Sequence, residues 1–312
     1  VSKVAQGDLS QEVPPTTKDE IGQLAADVNT MIGELREWDR IKRIEFELEK
    51  GQEIQREFLP RTLPVMPNWE IAAFFQPAGK VSGDFYDAFK LPNGHMGLVI
   101  GDVCDKGVGS ALYMALFRSL IRVFSTEKGF QQNNTVVQTD TRPGSSEPTT
   151  VDCEEPLACL QAVLLTNKYI AQNHGDEGMF ATIFFGVLNP VSGRLHYVNG
   201  GHEPLLLVGP EGVKGHLRPT GPAVGMMPDM RFDIHHIYME PGDILLGFTD
   251  GLTEARSPKD ELYTRGRLNA LFDPPSSTAG QLLERIQTNL LAFIDTAPQN
   301  DDITMLVVQR AI

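Results

Sequence analysis

Between residues 81 and 302 the sequence repeatedly places aspartates beside short apolar runs. VSGDFYDAF offers Asp84 and Asp87, and GLVIGDVCDKGVGSA delivers Asp102 after five residues of strand character. DILLGFTDGLTEA delivers Asp250, and in QNDDITMLVVQ Asp301 and Asp302 precede a C-terminal apolar run. The end of a strand is where a rigid scaffold hands a side chain to a pocket. Carboxylates crowded together repel one another, and their pKa values climb until some are neutral unless a cation compensates them. Hard Mg²⁺ and Mn²⁺ prefer carboxylate, carbonyl and water oxygens, and no Cys or His pair here favours Zn²⁺ instead. Gly83, Gly101, Gly107, Gly109 and Gly251 flank the acids, permitting tight turns in which a backbone carbonyl also faces a cation. One such cluster alone reads as a surface turn, where Asp-Gly is common. All of them together point to a shared site.

Those acids need a framework. From Trp69 onward short apolar strands alternate with Gly-rich turns and a few helices, and periodicity predicts helices over 110–124, 156–172 and 279–294. Residues 125–156, rich in Thr, Ser, Gln and Asn with Pro143, Pro148 and Pro156, read as a long exposed insertion. Residues 1–59 read as helix after an initial polar turn, and Pro60, Pro64 and Pro67 mark the change that follows. Ile21, Leu24, Val28, Met31, Leu35 and Trp38 recur at three- and four-residue steps, a coiled-coil seam that a parallel dimer would bury. Ile41, Ile44, Leu48, Ile54 and Phe58 continue the pattern amid Glu, Lys and Arg, as a helical connector would.

The composition narrows the partners. A net charge of −14 disfavours a nucleic-acid backbone, which is gripped by clustered Lys and Arg. Cys104, Cys153 and Cys159 form no C-x-x-C pair and suit a reducing, cytosolic compartment. No stretch reads as the roughly 20 apolar residues needed to span a bilayer. No cysteine is followed by Arg six positions on, so a Cys-x5-Arg phosphatase nucleophile is excluded, and no Ser-His-Asp arrangement is suggested.

The segment VAQGDLSQEVPPTTKDEIGQLAADVNTMIGEL resembles the second half of a HAMP signalling module, with the first HAMP helix and a membrane sensor expected upstream. The order S-G-D-F-Y-D, G-D-V-x-x-K-G, F-T-D-G-L-x-E and D-D-I-T resembles the SpoIIE/RsbU-type phosphatases of the metal-dependent type 2C superfamily. EIQREFLPRTLP looks like the helix that precedes that domain, and MFATIFFGVLNPVSGRLHYVNGGHEPLLLV like its central hairpin. The implied organisation is a partial HAMP module over 1–38, a helical linker over 39–67 and the phosphatase domain over 68–312. The implied fold is α/β of the α+β kind: a two-sheet β-sandwich flanked by helices, behind an N-terminal helical coiled-coil segment.

The resemblance also assigns roles. Asp102 matches the acid that bridges two Mn²⁺ or Mg²⁺ ions, Val103 the position supplying a backbone carbonyl, and Asp84 the ligand of the second ion. Asp250 and Asp301 match the ligands of the first ion, with Asp302 the alternative one residue on; Asp84, Asp102, Asp250 and Asp301 form the catalytic set. Asp87 is expected to stand behind the ligands, and His202 to be structural. Cys104 and Asp105 depart from the Ser-Gly common in relatives, adding a carboxylate near the site. The expected substrate is phosphoserine or phosphothreonine on a partner protein such as an anti-sigma-factor antagonist, attacked by water. The expected setting is a homodimer on the cytoplasmic side of a membrane-anchored parent. The alternatives are a phosphoprotein-binding adaptor and a small-molecule phosphodiesterase on the same fold.

Overall fold

The computed structural model describes residues 9–10, 12–14, 19–92, 94–126, 151–273 and 278–312, with the side chains of 151–159 outside it. The chain divides into two units, Val1–Ile54 and Gln55–Ile312. In the first, Asp19 caps helix α1 (Glu20–Phe58): its carboxylate accepts from the Ile21 and Gly22 amides at 3.2 and 3.3 Å. Leu9 and Val13 are held against this helix. The Asn29 amide bonds both the N–H and the carbonyl of Val13, at 2.8 and 2.9 Å, and Arg36 reaches the Leu9 carbonyl. Ala25 and Ile32 are buried, whereas Ile21, Leu24, Met31, Leu35 and Trp38 of the expected seam are 39–63% exposed. Most of the Gly-Asp-Leu turn lies outside the described residues.

The second unit contains ten strands among the described residues: β1 (Trp69–Gln76), β2 (Asp84–Lys90), β3 (Met96–Val103), β4 (Ala181–Leu188), β5 (Arg194–Gly200), β6 (Leu205–Gly209), β7 (Gly212–Leu217), β8 (His235–Tyr238), β9 (Ile244–Phe248) and β10 (Ile303–Arg310). They form two antiparallel sheets, ordered β1-β10-β9-β6-β7 and β2-β3-β4-β5-β8. Strand alternation builds the layers. Met96, Leu98 and Ile100 of β3 point between the sheets to meet Leu205, Leu245 and Leu306. Val99 and Val103 point the other way, onto α2 (Val108–Thr126) and α3 (Val151–Asn173). On the far side of the first sheet lie α4 (Asp250–Thr253), α5 (Thr264–Ala270) and α6 (Ala279–Ile294). The two-sheet sandwich with outer helices therefore forms as expected, and the long N-terminal helix is present.

Two expectations need correction. Helices α2 and α3 take both ends of the supposed 125–156 loop, through residue 126 and from residue 151; residues 127–150 lie outside the described set. Helix α2 is also long and apolar enough to cross a membrane by length and composition, with a mean hydropathy of 1.2. In the fold it buries Met114, Phe117 and Ile121 against the sheet. Its Arg118 and Arg122 pair with Asp87 of β2 at 2.9 and 3.1 Å.

Asp87 thus serves packing. It is wholly buried, and burial holds its carboxyl above the usual range despite both guanidiniums. Breaking a buried pair strands the surviving charge, so Asp87→Ala should cost about 3–5 kcal/mol in urea denaturation. Arg122 is half exposed, and Arg122→Ala should cost no more than about 1–2 kcal/mol. Equal effects would show that burial of this pair does not set its worth.

Candidate active site

Strand register brings the first two acids together. Asp84 and Asp102 are directly opposed in the β2–β3 ladder, at the same end of the sheet and on its inner face. Like charges so placed repel. Asp84 is 1% exposed and meets the other sheet, where its Oδ2 accepts from the hydroxyls of Thr249 and Thr304 at 2.7 and 2.6 Å. Thr249 directly follows β9 and Thr304 lies in β10; the Thr249 hydroxyl also accepts from the Thr304 amide at 3.0 Å. Asp250 follows Thr249 at the start of α4, and Asp301 and Asp302 lie in the turn before β10. One end of the seam between the sheets therefore collects acids from both.

Glycines allow the close approach. A Cβ on Gly83 would lie 2.8 Å from the Val103 carbonyl oxygen and 3.5 Å from Asp102 Oδ1. One on Gly251 would lie 1.9 Å from the Asp302 carbonyl oxygen. Either side chain would push apart the turns that carry the acids.

The acids carry the expected electrostatic strain. Burial foremost, then the charge of Asp102, pushes Asp84 well above the normal carboxylate range. Burial, then the charges of Asp250 and Asp301, pushes Asp102 up to about 7. Asp250 is raised too, by burial and then by Asp301. Asp302 differs: its two carboxylate oxygens accept from the Ala78 and Gly83 amides at 2.7 and 3.0 Å, which ties it to the β1–β2 loop. Asp301 accepts from the Asp302 amide through Oδ1 and pairs with Lys106 through Oδ2 at 3.0 Å.

Among the described residues no three Asp, Glu, His or Cys side chains already stand in ion-holding geometry. Several of these carboxylates have neighbours instead. The donor set is nonetheless all oxygen and mutually repulsive, and this fits a hard divalent cation. The structure collects Asp84, Asp102, Asp250, Asp301 and Asp302, with the Val103 backbone beside Gly83. It does not bring in Asp87, which lies on the opposite face of β2; the expectation that it stands behind the ligands is wrong because residues three apart on a strand face opposite ways. His202 is buried, bonds Thr182 Oγ1 at 3.0 Å and is driven by burial to about 4, so it remains neutral.

Sequence reasoning missed Thr249 and Thr304, although both stand inside the motifs F-T-D-G and D-D-I-T. It also missed Gln55. This buried amide accepts from the Ser82 N–H at 3.0 Å and donates to the Ser82 carbonyl at 2.6 Å, two residues before Asp84. Nothing in the one-dimensional pattern singles it out.

Two packed antiparallel sheets, helices on both outer faces and acids at one end of the seam define the type 2C phosphatase fold. The SiaA-PP2C domain of Pseudomonas aeruginosa matches it with a TM-score of 0.67, covering 86% of this chain and 98% of that one at 20% identity. The PP2C phosphatase domain of SpoIIE from Bacillus subtilis matches with a TM-score of 0.56, covering 80% and 64% at 14% identity. The family profile described as Stage II sporulation protein E (SpoIIE) matches residues 92–311, and the HAMP domain profile matches residues 1–37. The chain belongs to the SpoIIE family. Protein IcfG of Synechocystis sp. (strain ATCC 27184 / PCC 6803 / Kazusa) is 44% identical over 98% of this chain, which spans only 49% of that relative. Phosphoserine phosphatase RsbU of Bacillus subtilis (strain 168) is 24% identical over 86% of this chain and 71% of its own length.

The raised Asp102 gives a signed pH dependence. A carboxyl whose folded pKa is about 7, against 3.8 normally, stabilises the metal-free fold at low pH and loses that contribution as pH rises through about 7. The difference is worth at most about 4 kcal/mol. In chelator-treated protein, Asp102→Asn should flatten the decline in thermal stability between about pH 4 and 7 and melt higher than the parent at pH 7.5. An unchanged slope would place the repulsion elsewhere.

Proposed function

We propose that this chain is the catalytic part of a metal-dependent protein phosphatase that removes phosphate from phosphoserine or phosphothreonine on a partner protein in bacterial signalling. The observation that carries this is the convergence of Asp84 and Asp102 from one sheet with Asp250 and Asp301 from the other. In this assignment Asp84, Asp102, Asp250 and Asp301, with the Val103 carbonyl, would hold two Mn²⁺ or Mg²⁺ ions, Asp102 contributing to both. Both Asp302 oxygens are held by backbone amides of the β1–β2 loop, whereas among the described residues Asp301 Oδ2 is held only by the exposed Lys106 side chain, and this favours Asp301 as the ligand. When bound, such ions neutralise phosphoryl oxygens and lower the pKa of water.

The chain's own groups do the rest. The hydroxyls of Thr249 and Thr304 orient Asp84, and Gly83 and Gly251 keep the acidic turns close. A cleft of about 310 Å³ opens beside Asp301, lined by Lys106, Glu254, Arg256, Gln299 and Asn300, and offers room for a phosphorylated segment. Water is the nucleophile: it bonds to phosphorus as the serine or threonine oxygen leaves with a proton.

The partner is proposed to be an anti-sigma-factor antagonist; RsbU, named a phosphoserine phosphatase, supports that direction. The exposed seam of α1 supports a parallel homodimer, and the HAMP match supports a parent protein anchored in a membrane with this part in the cytoplasm. Gln55 ties the end of α1 to the loop before Asp84 and supports control of the site through that helix.

Release of phosphate from a phosphoserine protein should require Mn²⁺ or Mg²⁺ and fall by about 100-fold or more in Asp102→Ala and Asp250→Ala. Tight phosphoprotein binding without turnover would favour the adaptor instead, and preferential turnover of a cyclic nucleotide the phosphodiesterase. Deleting residues 1–50 should change the rate or the metal affinity; no change in either would remove control by α1.

A further inference from the structure

Lys106 reaches the acidic end of the seam from a loop shaped for the purpose. It stands between two residues of left-handed backbone, Asp105 at φ 69° and Gly107 at φ 92°, and its own amide donates to Asp105 Oδ1 at 2.8 Å. The ammonium crosses to the turn before β10, where it donates to the Asn300 carbonyl at 2.7 Å and pairs with Asp301 Oδ2 at 3.0 Å. The other oxygen of Asp301 accepts from the Asp302 amide at 2.9 Å. Both oxygens of Asp301 are therefore engaged, and the lysine holds the one that backbone does not.

We propose that Lys106 is a tethered counter-ion that occupies the Asp301 carboxylate until a divalent cation displaces it. This rests on the assignment of Asp301 as a metal ligand. An ammonium seated on a carboxylate oxygen competes with a metal ion for it, because two cations repel when brought to one oxygen. Release is feasible because the Lys106 side chain is 62% exposed, so water takes over the lost interactions. In the metal-free protein the lysine offsets repulsion among Asp102, Asp250 and Asp301 and holds the 300–301 turn in place. The consequence is a weaker but conditional metal site. The displaced ammonium lines the cleft beside Asp301, where an anionic ligand can use it, so metal loading and phosphate binding favour each other.

The test is Mn²⁺ binding by titration calorimetry on the full chain, at low salt, for the parent, Lys106→Met, Lys106→Arg and Asp301→Asn. Lys106→Met should bind Mn²⁺ about threefold to tenfold more tightly and melt lower than the parent when metal-free. Lys106→Arg should return both values toward the parent. If the parent binds Mn²⁺, Asp301→Asn loses it and Lys106→Met binds no more tightly than the parent, the counter-ion role is overturned while the metal site stands. If the parent binds no Mn²⁺, or Asp301→Asn binds it as well as the parent, the assignment of Asp301 fails and the counter-ion role with it.

Discussion

A buried carboxylate with a second carboxylate opposite it is costly, and Asp84 is in that position at the seam of the sandwich. Two hydroxyls from the other sheet meet it, so the same atoms that make Asp84 tolerable also lock β2 to the β9–β10 end of the first sheet. The packing of sheet on sheet is therefore inseparable from the position of the acids. Apolar contacts between Leu98 and Ile100 on one side and Leu205, Leu245 and Leu306 on the other supply the adhesion. The Asp84–threonine contacts set where that adhesion ends and the polar site begins.

Strand alternation lets one short segment do two jobs. In DFYDAF, Asp84 faces the other sheet and Asp87 faces the helices. The first carboxylate is held by the hydroxyls of Thr249 and Thr304. The second is paired through Oδ2 with two guanidiniums, which anchor α2 and leave Asp87 no part in the pocket. Two aspartates of equal chemistry thus differ in role through orientation alone.

The rest of the charge is handled by the backbone and by one lysine. Asp302 takes its donors from the β1–β2 loop, Asp301 takes Lys106, and Asp250 starts a short helix beside them. Gln55 grips the same β2 approach from the end of α1. The buried Gln55 amide thereby fixes the backbone of Ser82, two residues before Asp84.

Much of this was legible in one dimension. The four motif clusters, the alternating strands and the helix over 279–294 follow from local patterns, because hydrophobic periodicity and glycine placement respond to burial and turn geometry within a few residues. The HAMP-like start is visible for the same reason. The pairing of Asp84 with Thr249 and Thr304, more than 160 residues apart in each case, is not, since nothing local distinguishes a threonine that faces solvent from one that faces a buried acid. The outward turn of Asp87, the grip of Gln55 on Ser82 and the hold of Lys106 on Asp301 likewise depend on which elements meet across the sandwich. Residue types and spacing determined that acids would gather and what kind of cation they suit. Only the tertiary structure decided which acids share a face, which are already satisfied by backbone, and which oxygen is held by a lysine, because those outcomes depend on contacts between distant segments.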